Sequence, residues 1–216
     1  FELAIKAFAP DLKVIAAWRD DKWKLQSREE EIKFLEERKI PVPVKKSSSY
    51  SCDENIWHIS HEGLELEKTE NEPNWANMLK ETKTPEQAPD KAEYVKIEFE
   101  AGVPVAVNGK KMNGLQIMET LNKIGGKNGI GLIDLVENRC VGMKSRGVYE
   151  TPGGTILYYA HEQMDHLCLD RETYHYKQQI AIKQSELIYN GLWFTTLMDG
   201  IMAFNDKVEE NVTGWV

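Results

Sequence analysis

The sequence predicts an α+β protein (α/β overall), with strand pairs gathered in its middle and helices filling its C-terminal third. Three observations carry this. Residues 94–100 alternate apolar and polar side chains at period two, meet residues 103–107 across Ala101-Gly102, and are followed by a second turn at Asn108-Gly109. Beyond Pro152, apolar residues recur at helical spacing in segments separated by Asp170 and by Asn190-Gly191. No apolar run approaches the roughly 18 residues that a membrane-spanning helix needs.

In chain order, residues 1–8 have helical spacing and stop at Pro10, and residues 12–18 are a strand candidate. Ser27 with Glu30 forms a capping box that opens a helix through about Lys39, and Ile40-Pro41-Val42-Pro43-Val44 ends it. Residues 50–63 are a compact polar block. Residues 64–91, charged and proline-bearing, read as a long and partly irregular excursion. Asn113 is placed to cap a helix in which Leu115, Met118, Leu121 and Ile124 share a face and which ends at Gly125-Gly126. Residues 130–136 read as a buried strand that leads, through a glycine-rich loop, into a helix capped by Thr151 with Pro152 at its first position. That helix runs to about Leu167. The next opens at Asp170 and closes at Asn190-Gly191, and a third covers about residues 195–208. Ile180, Ile182, Leu187, Ile188, Trp193, Phe194, Leu197, Met198, Ile201, Met202 and Phe204 give the last two a wide apolar coverage, which reads either as a buried helix pair or as a face for another subunit. Residues 213–216 read as the start of a further strand.

A formal net charge of −8 argues against a general nucleic-acid or anionic-membrane partner, since both want a basic surface. Cys52, Cys140 and Cys168, odd in number and without C-x-x-C spacing, point to reduced thiols in a cytoplasmic protein. The cysteines have no evident histidine base, so no covalent catalysis is expected. His58 and His61 could share a face only on a helix and lack a third ligand, so no metal site is expected; His161, His166 and His175 are read as packing or solvent-facing. The chain begins at Phe1 with neither methionine nor leader, in what reads as a helix, which suggests a piece of a longer protein.

The stretch from Glu137 to Gly154 gathers Glu137, Arg139, Lys144, Arg146, Tyr149, Glu150 and several glycines between a strand and a helix, a place that suits a ligand-binding loop. A solvated loop whose charges pair with one another is the competing reading. The stretch resembles the signature E-N-R-x-x-G-M-K-S-R-G-x-Y-E-T-P-x-G-T of the argininosuccinate synthase family. Tyr50-Ser51-Cys52-Asp53-Glu54-Asn55-Ile56-Trp57-His58-Ile59-Ser60-His61-Glu62-Gly63 resembles a second segment of that family, and the resemblance extends over essentially the whole chain.

That resemblance implies that residues 1–45 are the tail of a Rossmann-like, PP-loop nucleotide-binding domain. It implies that residues 46–216 are a synthetase and multimerisation domain with a largely antiparallel sheet and C-terminal helices. The implied activity is the ATP-dependent ligation of citrulline and aspartate through citrullyl-AMP, with Mg2+ accompanying ATP, in a cytoplasmic homotetramer without nucleic-acid or membrane partners. Ser51, Ser60, Glu137 and Tyr149 are the implied citrulline contacts. The chemistry is suitable, because a carboxylate accepts from an ammonium and hydroxyls both donate and accept. No catalytic or ATP-binding residue is assigned, since the family's S-G-G-x-D-T-S phosphate loop, its Gly-Asn-Asp segment and an arginine expected just before Phe1 are not in this sequence. Such a piece alone is expected not to make the product. Arg139, Lys144 and Arg146 stand either as cations that orient the substrate or meet phosphate or as structural ion pairs, and Asp53, Glu54 and Asn55 either as ligand contacts or as bracing for the first serine block. The reading from another class is a non-catalytic interaction or oligomerisation module with the helices as its surface.

Overall fold

A computed structural model describes residues 1–42 and 50–216, with Arg28 described by its backbone alone. The chain forms two compact units, Phe1–Tyr50 and Ser51–Val216. The boundary expected between residues 45 and 46 lies outside the described residues.

The first unit holds α1 (Glu2–Phe8) and α2 (Arg28–Glu37). The Ser27 hydroxyl accepts the amide of Glu30, but the Glu30 carboxylate reaches back to the amide of Gln26 instead of Ser27, so the expected capping box closes one residue early. The strand expected at residues 12–18 is not formed. These residues are irregular and lead into a 3-10 turn at Ala17–Arg19, with Ile15 and Trp18 exposed. A strand needs a neighbour for its backbone donors and acceptors, and among the described residues of this unit there is none.

The second unit comprises, in order, β1 (Ser51–Glu54), β2 (Ile59–Glu62), α3 (Trp75–Met78), β3 (Ile97–Glu100), β4 (Val103–Val107), β5 (Lys110–Lys111), α4 (Gly114–Lys127), β6 (Leu132–Asn138), β7 (Lys144–Glu150), α5 (Pro152–Cys168), α6 (Arg171–Tyr189), α7 (Thr196–Glu209) and β8 (Gly214–Trp215). Two four-stranded sheets result, ordered β1-β2-β7-β6 and β5-β4-β3-β8, with every pairing antiparallel.

The β3–β4–β5 meander follows the sequence closely. Ala101 and Gly102 (φ 47° and 75°), like Asn108 and Gly109 (φ 51° and 76°), occupy the left-handed region in pairs, the geometry whose twist matches that of the flanking strands. The alternation in β3 turns Ile97 and Phe99 inward, where they pack with Val107, with Ile117 and Leu121 of α4, and with Ala160 and Met164 of α5. The strand expected at residues 213–216 forms as β8 and adds to β3, Phe99 opposite Gly214.

The Asn113 side chain and Gln116 complete a reciprocal capping box at the start of α4. The buried face is rotated from the expected one: Ile117, Met118 and Leu121 are buried, while Leu115 is exposed. Nor do Gly125 and Gly126 end the helix. A Cβ on Gly125 would lie 2.8 Å from the Pro152 side chain, and one on Gly126 would lie 2.3 Å from the carbonyl oxygen of Glu81. These glycines admit close backbone contact inside the helix.

The glycine-rich loop expected between strand and helix is itself largely a strand. The chain turns at residues 139–143, with Gly142 at φ 80°, and returns as β7 alongside β6. Thr151 stands at the N-cap of α5 without capping it; its hydroxyl instead meets the carbonyl of Gly131 and the hydroxyl of Thr155.

The excursion at residues 64–91 is irregular as expected, with α3 and two 3-10 turns, Leu64–Glu67 and Pro85–Gln87. It is held against the first sheet by two ionised side chains of β7. Glu150 accepts the backbone N–H groups of Lys80, Glu81 and Thr82 at 2.9, 2.8 and 2.6 Å. Arg146 donates to the carbonyls of Lys68, Thr69 and Asn71 at 3.4, 3.3 and 2.8 Å. Irregular backbone carries donors and acceptors that no ladder satisfies; here a carboxylate collects the donors and a guanidinium the acceptors.

Candidate functional site

Side chains alternate between the two faces of a strand, so the register of the first sheet decides which residues meet. Asp53 lies opposite Ser60, Ser60 opposite Tyr149, Ser51 opposite Glu62, and Glu137 opposite Ser145. All these residues therefore share one face, called here the outer face. The four predicted citrulline contacts, Ser51, Ser60, Glu137 and Tyr149, come from four different strands and all point to it.

Three of the four are close neighbours. The Tyr149 hydroxyl donates to Oε1 of Glu137, and the Ser60 hydroxyl, beside Tyr149, accepts the amide of Asp53 at 3.3 Å. Ser51 stands apart on the edge strand and is exposed, whereas Ser60 is buried and Glu137 and Tyr149 are half-buried. Gly147 lies on the same face between them. A Cβ there would approach the Tyr149 ring to 3.2 Å and Oε1 of Glu137 to 3.5 Å, so the bare backbone leaves room for this pair. His58 tilts against the Tyr149 ring at 5.5 Å.

The β1–β2 turn is fixed from both ends. The Asn55 side chain accepts the amides of Trp57 and His58 at 2.9 and 3.1 Å. From α4, Asn122 donates to the carbonyl of Ile56 at 3.1 Å and accepts the amide of Gly153 at 2.9 Å. The Trp57 ring sits over Gly154, where a Cβ would come within 2.9 Å of it. Asn55 thus braces the β1–β2 turn.

The cations divide. Arg139 extends over the outer face, where it bonds Glu62 and Ser145, each at 2.9 Å; it does not pair with Glu137. Arg146 points the other way and makes a two-pronged ion pair with Asp134, 2.9 and 2.8 Å, which holds the guanidinium above its ordinary value. Lys144 donates to Asn138 at 2.5 Å. Structural pairing accounts for all three side chains.

Residues 50–216 match the family described as Arginosuccinate synthase C-terminal domain. The chain belongs to the argininosuccinate synthase family. Over all of its 216 residues it is 56% identical to the argininosuccinate synthase of Acetivibrio thermocellus and 57% identical to that of Agathobacter rectalis, covering 53% of each. It is 54% identical, over 99% of its length, to that of Clostridium botulinum strain Eklund 17B, covering 52% of it. The chain thus spans about half the length of the curated relatives it matches. No helix among the described residues is long and apolar enough to cross a membrane.

Two further clusters in this member of the argininosuccinate synthase family had little sequence signal. On the inner face, His61 and Glu150 are both fully buried and joined through Nε2 at 2.8 Å. Burial would push the Glu150 carboxyl up, but the bonds from His61 and from the amides of Lys80, Glu81 and Thr82 outweigh it and hold the group below its ordinary value. On its other side, His61 Nδ1 lies 3.3 Å from the Cys52 sulfur, so one cysteine does have a histidine beside it, which the sequence did not make evident. Residue pairs 89 and 9 positions apart meet because β2 lies between β1 and β7.

A groove of about 1070 Å³ touches none of the four predicted residues; it lies between the β3–β4 turn and α5, α6 and α7. His161, expected to pack or face solvent, packs edge-on against Phe99 but also enters an ion-pair network there, 3.1 Å from Glu209 and 3.7 Å from Asp165. These three side chains converge in the manner of metal ligands, yet the Lys177 ammonium already sits among them, 2.6 Å from Asp165 and bonded to Glu209. Burial would raise the Glu209 carboxyl, but His161 and Lys177 hold it below its ordinary value.

Proposed function

We propose that the chain is the synthetase portion of an argininosuccinate synthase, a ligase of arginine biosynthesis that joins citrulline to aspartate with ATP, and that citrulline lies on the outer face of the first sheet. The observation that carries this reading is the convergence of Ser51, Ser60, Glu137 and Tyr149, from four strands, on one face. Glu137 has one oxygen taken by Tyr149 and keeps acceptor capacity for the substrate's ammonium. Ser60 already accepts the Asp53 amide, so its own proton is available to an acceptor such as the ureido or carboxylate oxygen. Ser51, at the exposed edge, offers a second hydroxyl.

In the proposed reaction the ureido oxygen attacks the α-phosphate of ATP, pyrophosphate leaves, and the aspartate amine displaces AMP. Held phosphates need cations or backbone donors beside them. The cations described here do not fit that need, because Arg139, Lys144 and Arg146 are engaged within the sheet. ATP, Mg2+ and aspartate are therefore assigned mainly to the half of the relatives that this chain does not span. Residues 1–45 are assigned to the tail of the nucleotide-binding domain and residues 46–216 to the synthetase domain. A cytoplasmic location and a homotetramer complete the reading. Exposed Ile182, Trp193, Phe194, Leu197 and Met202 on and between α6 and α7 support a subunit interface, and the same observation supports the rival oligomerisation-module reading.

Isothermal titration with citrulline of the chain and of Glu137→Ala tests the site. Heat that disappears in the variant is the expected result. Equal heat in both removes Glu137 from the site. No heat in either, and none in a chain extended to the full length of the relatives, returns the assignment to an oligomerisation module.

A further inference from the structure

The inner face of the first sheet carries a thiol, an imidazole and a carboxylate in series. The Cys52 sulfur is 3.3 Å from His61 Nδ1, and His61 Nε2 is 2.8 Å from Oε1 of Glu150. The tautomer of His61 follows from its partners. The Glu150 carboxyl, held below its ordinary value, is an acceptor and already collects three backbone N–H groups. Facing that acceptor, His61 Nε2 is the ring nitrogen that donates to Glu150, and Nδ1 is the one that faces the thiol. His61 and Glu150 are fully buried, while Cys52 on the edge strand β1 is exposed. Base and orienting carboxylate are buried; the residue that carries the thiol is exposed.

We propose that Cys52, His61 and Glu150 form a base-assisted thiol whose co-reactant is a hydroperoxide, making Cys52 a site of two-electron oxidation. His61 takes the sulfur's proton, and the imidazolium is stabilised by Glu150. The thiolate attacks the outer peroxide oxygen and a sulfur–oxygen bond forms as the oxygen–oxygen bond breaks. The departing oxygen takes the proton back from His61. Cysteine is oxidised to sulfenic acid, and the peroxide is reduced to water or an alcohol. The inference stands on the geometry of the inner face and is independent of the citrulline reading.

The chain contains its own control. Cys140 is also exposed, but its sulfur donates to Oδ1 of Asn190, an acceptor that cannot serve as a base at neutral pH. The experiment is site-resolved mass spectrometry of the unmodified chain at pH 7, with iodoacetamide for the rate and with hydrogen peroxide followed by dimedone for sulfenic acid. Cys52 is expected to alkylate at least about tenfold faster than Cys140, because an ordinary thiol is only a few per cent thiolate at this pH. It is also expected to carry the dimedone adduct ahead of Cys140. Equal or slower alkylation of Cys52, or adducts spread evenly over both, overturns the proposal. In His61→Gln the Cys52 rate is expected to fall to the Cys140 rate while Cys140 itself does not change; a Cys52 rate that persists overturns the role of the base. Should that variant fail to fold, the Cys52 to Cys140 ratio in the unsubstituted chain decides alone.

Discussion

The sheet β5-β4-β3-β8 buries Ile97 and Phe99, each 1% exposed, against α4 and α5. In contrast, β1-β2-β7-β6 leaves Ser51, Asp53, Ile133 and Leu135 of its outer face exposed and seats its inner face on irregular chain through Glu150 and Arg146. One sheet is stabilised by the fit of apolar side chains. The other relies heavily on charged groups that satisfy the backbone lying against it. Because its inner face does the holding, its outer face can keep polar groups that contribute little to the fold. Stability and binding should therefore separate by face.

The sharpest break of that comparison is Phe99→Ala, which opens a cavity in the packed sheet and is expected to cost about 3–5 kcal/mol by denaturant titration; a loss under about 1 kcal/mol would mean that this core is not load-sharing as described. Next comes Glu150→Ala, expected to cost about 3 kcal/mol because buried His61, the buried amide of Thr82 and the part-buried amides of Lys80 and Glu81 lose their acceptor together. A midpoint close to that of the unsubstituted chain would sink the account of how the excursion is held.

Acid probes the same group without substitution. The Glu150 carboxyl is held below its ordinary value of 4.5 in the folded chain. The stability it contributes is fully present above that unfolded-state value and is lost as pH falls through the lower folded value. A denaturation series from pH 7 down to pH 3 should therefore show this contribution lost only in its most acid part, and a Glu150→Gln chain should lack it. A smaller effect is expected from Gly147→Ala: about 1 kcal/mol of stability at most, but roughly tenfold weaker citrulline binding as Tyr149 and Glu137 are pushed aside. Unchanged affinity would remove Gly147 from the site. The smallest effect on stability, within about 0.5 kcal/mol, is expected from Glu137→Gln, whose exposed face tolerates change while citrulline heat falls away; a large stability loss would show that Glu137 belongs to the fold.

What the sequence revealed follows from how local each signal is. The Asn113 cap, the Asp170 cap and the turns at Ala101-Gly102 and Asn108-Gly109 depend on residues within four positions of one another, and they formed as expected. Strand β7 was concealed because its outer positions are Ser145, Gly147 and Tyr149, kept open for the candidate site, while its inner Arg146 and Glu150 are charges serving distant backbone. No apolar alternation survives under those demands. The choice of the four candidate residues was legible only through the family motifs; the register that puts them on one face was not, and neither was the meeting of Cys52, His61 and Glu150. Residues 12–18 failed in the opposite way, carrying strand-like side chains with no strand beside them among the described residues.

Four residues, Asn55 to His58, join β1 to β2, and Asn55 and Asn122 clamp them. Their number has the character of a parity bit. One residue more or fewer would leave β1 able to pair but exchange its two faces, turning Cys52 and Glu54 outward and Ser51 and Asp53 under the sheet. Two more would restore the faces and merely lengthen the bend. Insertions at this turn should therefore be tolerated or ruinous according to whether they are even or odd, so that a count of residues, and not only their chemistry, is written into the proposed binding face.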